Sequence, residues 1–213
     1  MLCRTVPPDA AEVRPDCPSS PGFQALPPPG QSVIMAHALD VQTLCGRFDR
    51  REIDHDCFIE ECTRLIADAI GCSRAGIWVF EEGADGHLLR CLGIYDRRQD
   101  GMVVAPDESS LQVGTYFDAL ERAGHVLAVD VRSHPATAGL FGDQLSVNGV
   151  RSLMASSFSI NGRLFGAFTC TQVEDSMRWT PPQLAKLKGI GTRISLALAN
   201  AARTSQSTLP MPL

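Results

Sequence analysis

Residues 153–173 read LMASSFSINGRLFGAFTCTQV, and the turn at the centre of this stretch decides the fold. Asn161-Gly162 tolerates the positive φ angles of a type I′ turn, whose twist matches that of antiparallel strands. Leu153 to Ile160 and Leu164 to Val173 therefore predict the two arms of a long β-hairpin. Upstream, Ala75 to Glu81 (AGIWVFE) and Leu88 to Tyr95 (LLRCLGIY) are apolar at both alternating sets of positions. Strands covered on both faces read this way, so each predicts a strand inside a sheet flanked by helices. Glu82 to Gly86, with two glycines, reads as the turn between them. Val126 to Val131 reads as a further strand, and Met102 to Val104 as a short one.

The helical patterns lie around these strands. Phe58, Cys62, Leu65, Ile66, Ala69 and Ile70 recur at spacings of three and four, which gives one apolar face. Asp54 is placed to cap this helix, and Gly71 to end it in the left-handed conformation. A weaker helical pattern runs from Val33 to Arg47. Thr115 precedes a short helix, Tyr116 to Ala123, with Asp118 where a capping box has its acid and Gly124 closing it. Ser133-His-Pro135 opens a second short helix to about Val147, ended by Asn148-Gly149. Thr180-Pro181-Pro182-Gln183 is a capping sequence for a long helix carrying Leu184, Leu187, Gly191, Ile194, Leu198 and Ala201. Ile190 and Ala197 widen that stripe, enough to pack on a sheet and on a partner helix. The order predicts an α+β fold, an antiparallel sheet with helices on its faces.

Residues 1–32 hold eight of the fourteen prolines of this 213-residue chain and little that packs. They read as a disordered segment, as do 204–213, leaving one domain over 33–203. The net charge is −5, and the only lysines are Lys186 and Lys188. Nucleic acid and anionic membranes need clustered positive charge, so neither is an expected partner. No stretch has the roughly 18 apolar residues of a membrane span, and the start has no apolar signal core, so a cytoplasmic location is expected. The eight cysteines form no C-x-x-C, and most sit within apolar patterns, which suits buried reduced thiols better than zinc or redox chemistry.

With these residues in view, Gly114 to Ala201 resembles the C-terminal two-thirds of a bacterial GAF domain, of the subtype found with diguanylate cyclases and histidine kinases. The matching pieces are Tyr116-Phe-Asp-Ala-Leu120, Val126-Leu-Ala-Val-Asp130 and His134-Pro135-Ala-Thr137. They continue with Asn148-Gly-Val-Arg-Ser152, Asn161-Gly-Arg-Leu-Phe-Gly166 and Arg178-Trp-Thr-Pro181. No one piece is specific; their order and spacing are. The resemblance implies a GAF-like sheet of about six antiparallel strands. The terminal helices would cover one face and often form a dimer bundle; short helices and loops would roof a small-molecule pocket on the other. Family members bind cyclic nucleotides, bilins, haem, amino acids or other metabolites. The chain departs from the subtype at Leu153-Met-Ala-Ser-Ser-Phe-Ser-Ile160, where a hydrophobic-Asp-x-Pro-Ile run is common, and at Cys170-Thr-Gln-Val173, where Glu-His is common. The Asn-Lys signature of cyclic-nucleotide-binding members and the Cys-His dipeptide of bilin attachment are both missing.

By fold analogy the pocket residues are Tyr116, Asp130, Thr137, Leu140, Arg151, Ser152 and Phe158. Arg151 stands out because a guanidinium can hold a phosphate or carboxylate bidentately; its plainer role is a surface salt bridge. His125 and His134 flank the pocket side and are haem-ligand types, yet His125 begins a strand and His134 precedes a helix-opening proline. His37, His55 and His87 read as surface or cap residues, and Trp78 and Trp179 as packing residues. No G-x-S-x-G, P-loop, H-E-x-x-H or G-x-G-x-x-G occurs, so no enzyme, metal or cofactor is expected.

The leading expectation is a small-molecule-sensing GAF domain in bacterial signal transduction. It would act as a homodimer through the terminal helices, on a signalling protein such as a cyclase or kinase in trans. One alternative is a ligand-free dimerisation module whose cavity is filled by Phe117, Leu140, Phe141 and Phe158. Another is an enzyme like the GAF lineage that reduces free methionine sulfoxide with cysteines.

Overall fold

The computed structural model describes residues 40–83, 86–103, 114–138 and 149–206. In chain order the elements are α1 (40–49), α2 (His55–Ile70), β1 (Arg74–Gly83), β2 (Gly86–Asp96) and β3 (Gly101–Val103). They continue with α3 (Gly114–Ala123), β4 (His125–Ala128), β5 (Val150–Ile160), β6 (Arg163–Val173) and α4 (Pro181–Gln206). The six strands form one sheet in the order β3-β2-β1-β6-β5-β4, with every neighbouring pair antiparallel.

The central turn forms as its residues require. Asn161 and Gly162 have φ of 53° and 79°, and Ile160 pairs with Arg163 across them. The sheet closes where β1 lies against β6, from Arg74↔Thr171 to Val79↔Gly166. Gly166 permits this approach, since a Cβ there would stand 2.2 Å from the Trp78 carbonyl oxygen and 2.6 Å from the Phe158 ring.

Helices α1, α2 and α4 cover one face of the sheet. Phe58, Ile59 and Ile66 of α2, with Leu187 and Ile194 of α4, pack on Ile77, Phe168 and Cys170. Each such buried side chain contributes about 1.5–3 kcal/mol. Phe48 stacks on Phe58 at 4.1 Å and joins α1 to α2. The caps expected for α2 and α4 form. The Cys57 amide donates to Asp54 Oδ1 at 2.8 Å, and Gly71 closes α2 with φ 77°. At the start of α4 the Thr180 amide donates to Gln183 Oε1 at 3.0 Å, and the Gln183 amide donates to Thr180 Oγ1 at 3.4 Å.

Asp96 is fully buried at the end of β2. It accepts from Arg74 Nε at 2.7 Å, Arg98 Nη2 at 3.0 Å and the Arg98 amide at 2.9 Å. Burial works to raise its pKa, but the hydrogen bonds from Arg98 and Arg74 outweigh it and hold the carboxyl down at about 2. Trp78 and Trp179 are both packed inside, and the Trp78 indole donates to Thr169 Oγ1 at 3.1 Å. Cys62, Cys72 and Cys170 are buried.

Several local expectations are corrected. Helix α3 starts at Gly114, so Thr115 lies inside the first turn and does not cap it. Strand β4 ends at Ala128, three residues early, because Asp130 Oδ1 accepts from the Arg132 amide at 2.9 Å and bends the chain out of the ladder. Residues 131–133 and 135–137 are turns and residue 138 is helical; the rest of the helix expected to Val147 lies outside the described residues. Helix α1 runs to 49, two residues past Arg47, and α4 reaches Gln206. Among the described residues no helix is long and apolar enough to cross a membrane.

Candidate functional site

Short elements cover the second face of the sheet. Trp78, Leu153, Ala155 and Ala167 form its floor; Tyr116 and Leu120 of α3 and Val131 and Ala136 of the segment after β4 pack onto it. Tyr116 and Leu120 are one helical turn apart, so α3 buries one edge and leaves the other free. Burial pushes the Tyr116 phenol pKa up, so the phenol stays neutral at physiological pH.

Beside α3 this face opens into a groove of about 1080 Å³, bounded by the tips of the β1–β2 and β5–β6 hairpins. That is the size of a small-molecule pocket. Its aromatic wall is Phe117, which meets Phe80 edge-on at 4.9 Å and lies under the half-buried His87 imidazole at 3.7 Å. Its rim is charged. Glu81 pairs with Arg90 and Glu82 with Arg163, whereas Asp118 and Glu121 of α3 are exposed and have no ion-pair partner among the described residues. The groove can thus take a flat apolar body against Phe117 and a polar end against the rim.

The residues singled out in the sequence divide among three places. Thr137, Asp130 and Arg151 lie together at the far end of the second face from the groove. There the Val131 amide donates to the Arg151 carbonyl at 3.0 Å, and the buried Thr137 hydroxyl donates to the Val131 carbonyl at 2.8 Å. Asp130 and Arg151 are exposed. A bulge between Val150 and Ser152 leaves Arg151 out of the ladder, and no carboxylate among the described residues pairs with it. Tyr116 belongs to the core under α3. Ser152 and Phe158 fall with Met154 on the helix-covered face. Ser152 Oγ accepts from the Met177 amide at 3.0 Å, and Phe158 packs on Phe168 at 4.8 Å. These two are not brought together with the others, because side chains alternate between faces along β5. Leu140 and Phe141 lie outside the described residues.

The sequence places His87 as a surface or cap residue; in the structure it is half-buried over Phe117. That placement depends on the hairpin register, Glu82↔His87, which no local pattern specifies. His125 begins β4, its Nδ1 2.8 Å from the Ala123 carbonyl. His134 Nδ1 accepts from the Ala136 amide at 3.2 Å. Both imidazoles serve local turns.

A second groove, of about 840 Å³, lies between α1 and α4 on the other side of the molecule. Cys45, Gly46, Arg193 and Leu196 line it, and Leu196 is 61% exposed.

Known structures share this arrangement at low identity. A free methionine-R-sulfoxide reductase from Neisseria meningitidis, solved with its substrate, matches with a TM-score of 0.59 and 14% identity over 87% of this chain and 98% of that one. The phycocyanobilin-bound GAF domain of a cyanobacterial phytochrome matches with a TM-score of 0.59 and 14% identity over 82% and 96%. The GAF domain of a phosphoenolpyruvate-protein phosphotransferase from Coxiella burnetii matches with a TM-score of 0.51 and 13% identity over 81% and 99%. At such identities these likenesses establish the fold alone. No curated protein matches the sequence. The sequence model of the GAF domain, however, matches residues 54–198, from the cap of α2 to the body of α4, and the chain belongs to the GAF domain family.

Proposed function

We propose that this chain is a small-molecule-sensing regulatory domain that catalyses no reaction itself. The observation that carries the reading is the groove beside α3, with the Phe117 wall and charged rim on the face that, among the described residues, short elements cover. Solved GAF domains with bound phycocyanobilin add support by analogy. The response would pass to the terminal helices. Leu196 and the groove between α1 and α4 offer a surface for a second copy, and a bacterial signalling protein such as a cyclase or kinase would receive the signal in trans.

The methionine sulfoxide reductase alternative draws on one of the structural neighbours. Catalysis of that kind needs an accessible thiolate. Burial raises the thiol pKa of the partly exposed Cys45 and Cys57 as well as of the buried Cys62 and Cys170, which disfavours a thiolate at each, so the non-catalytic reading is preferred.

The test is thermal unfolding of the full chain against a metabolite panel that includes cyclic nucleotides, linear tetrapyrroles and free methionine sulfoxide. A ligand at 100 times its Kd adds about 2.7 kcal/mol of stability, a rise of roughly 5–10 °C for a domain of this size. Loss of the rise in His87→Ala places the ligand in the groove; loss in Arg151→Ala places it at the other end of the face. No rise with any compound, together with a stable dimer in sedimentation, would favour the ligand-free dimerisation module.

A further inference from the structure

The loop between β6 and α4 is tied to the ends of β4 and β5 by two hydrogen bonds. The buried Trp179 indole donates to the carbonyl of Ala128, 51 residues earlier, at 3.3 Å. Ala128 is the last residue of β4, and the chain runs from it directly into the segment that covers the second face. The Met177 amide donates to the fully buried Ser152 hydroxyl. The adjacent Arg151 carbonyl accepts from the Val131 amide, and the Val131 carbonyl accepts from the Thr137 hydroxyl.

The ends of β4 and β5 therefore hold the 131–137 turns on one face and the loop of Met177 and Trp179 on the other. Immediately after Trp179, Thr180 caps α4, and its carbonyl accepts from the Leu184 amide at 3.1 Å. Gln183 Nε2 donates to the Ile70 carbonyl at 3.2 Å and so joins the first turn of α4 to the end of α2. The Trp179–Ala128 and Thr137–Val131 bonds are buried and the Met177–Ser152 and Gln183–Ile70 bonds partly buried, where a lost partner is costly.

We infer that Trp179 is a positioning residue that couples the 129–138 segment to the first turn of α4. Movement of that segment by a bound molecule pulls on Ala128, shifts the indole and changes the seating of the α4 N-terminus against α2. The use of this coupling rests on the sensing function proposed above. The coupling itself belongs to the ligand-free protein and is measured without a ligand. Contiguous bonds alone do not demonstrate coupling, so the test perturbs one end and reads the other.

Amide hydrogen exchange is followed in the full chain for wild type, Trp179→Phe, Thr137→Val and the double variant. Trp179→Phe keeps an aromatic ring in the core but removes the donor; Thr137→Val keeps the shape and removes the hydroxyl. Each single variant is expected to speed exchange at its own end and at the distant one. Thr137→Val acts on the Leu184 amide, and Trp179→Phe on the Thr137 amide, each by roughly three- to tenfold, the factor an ordinary hydrogen bond is worth. Amides in the centre of β1 stay unchanged. The double variant adds little beyond either single one, as sites in one network do.

Ser152→Ala, which removes the acceptor of the Met177 amide, is the second variant and is expected to act like Trp179→Phe. If Thr137→Val changes exchange only in 131–138 while Trp179→Phe and Ser152→Ala change it only in 177–184, the coupling is overturned. That result would leave ligand-induced thermal shifts intact. A silent metabolite panel would leave the exchange coupling intact, so the two ideas fail separately.

Discussion

The His87 imidazole lies flat on the Phe117 ring, with centroids 3.7 Å apart and planes 14° apart. Together with the edge contact from Phe80, this stack fastens the β1–β2 hairpin to α3 and forms the wall of the candidate groove. Phe117→Ala removes this stack and the edge contact with Phe80. The expected cost is about 2–3 kcal/mol in urea unfolding, below the 3–5 kcal/mol of a fully buried phenylalanine because Phe117 is only half-buried. His87→Ala is expected to cost about 0.5–1.5 kcal/mol, the worth of an aromatic pair. Equal losses for the two variants would count against Phe117 as the main support.

Asp96 predicts an acid limit to stability. Its folded pKa, about 2, lies below the usual 3.8. A carboxylate with a lowered folded value contributes stability that is fully present above the unfolded value and lost as pH falls through the folded one. Urea midpoints measured from pH 7 downward should therefore drop between about pH 4 and pH 2. Asp96→Asn should flatten that drop and cost about 3 kcal/mol at pH 7, since it leaves Arg74 and Arg98 facing a neutral group. Parallel pH profiles for the two proteins would show that other carboxylates govern the acid limb.

Gly166→Ala should be among the most destabilising single-methyl additions in the sheet. The new Cβ would meet backbone, the Trp78 carbonyl oxygen at 2.2 Å, as well as the Phe158 ring. Backbone cannot rotate away as a side chain can, so a loss of about 3 kcal/mol is expected, at the upper end for overpacking. Thermal unfolding measures it, and a loss under about 1 kcal/mol would mean that β1 and β6 shift apart cheaply.

The cysteines should divide by exposure. A thiol reagent followed by peptide mass mapping should modify half-exposed Cys57 in the folded protein, and Cys62, Cys72 and Cys170 only on unfolding. Burial raises the Cys62 and Cys170 thiols, which keeps them protonated as well as covered. Rapid native modification of either, accompanied by methionine sulfoxide reduction, would restore the enzymatic alternative.

The features legible along the chain are local in origin. Asn161-Gly162 specifies its turn through the φ angles it tolerates, and Asp54, Gly71, Thr180 and Gln183 specify helix ends through donors and acceptors a few residues away. The apolar periods distinguish the α2 and α4 helices from the doubly covered strands, and so yield the α+β class; the ordered short motifs pointed to the family. Tertiary structure decided which face each strand residue serves. Along β5, Leu153 and Met154 are equally apolar, and nothing local says that Leu153 lies under α3 while Met154 lies under the helices. For the same reason nothing local separates Ser152 and Phe158, which pack on the helix-covered face, from residues of the opposite face. The bulge that turns out Arg151 and the register that sets His87 beside Phe117 depend on partner strands distant in sequence. Short-range propensity acts through neighbours along the chain, whereas a site on a sheet is assembled by pairing and layering, which only the folded chain specifies.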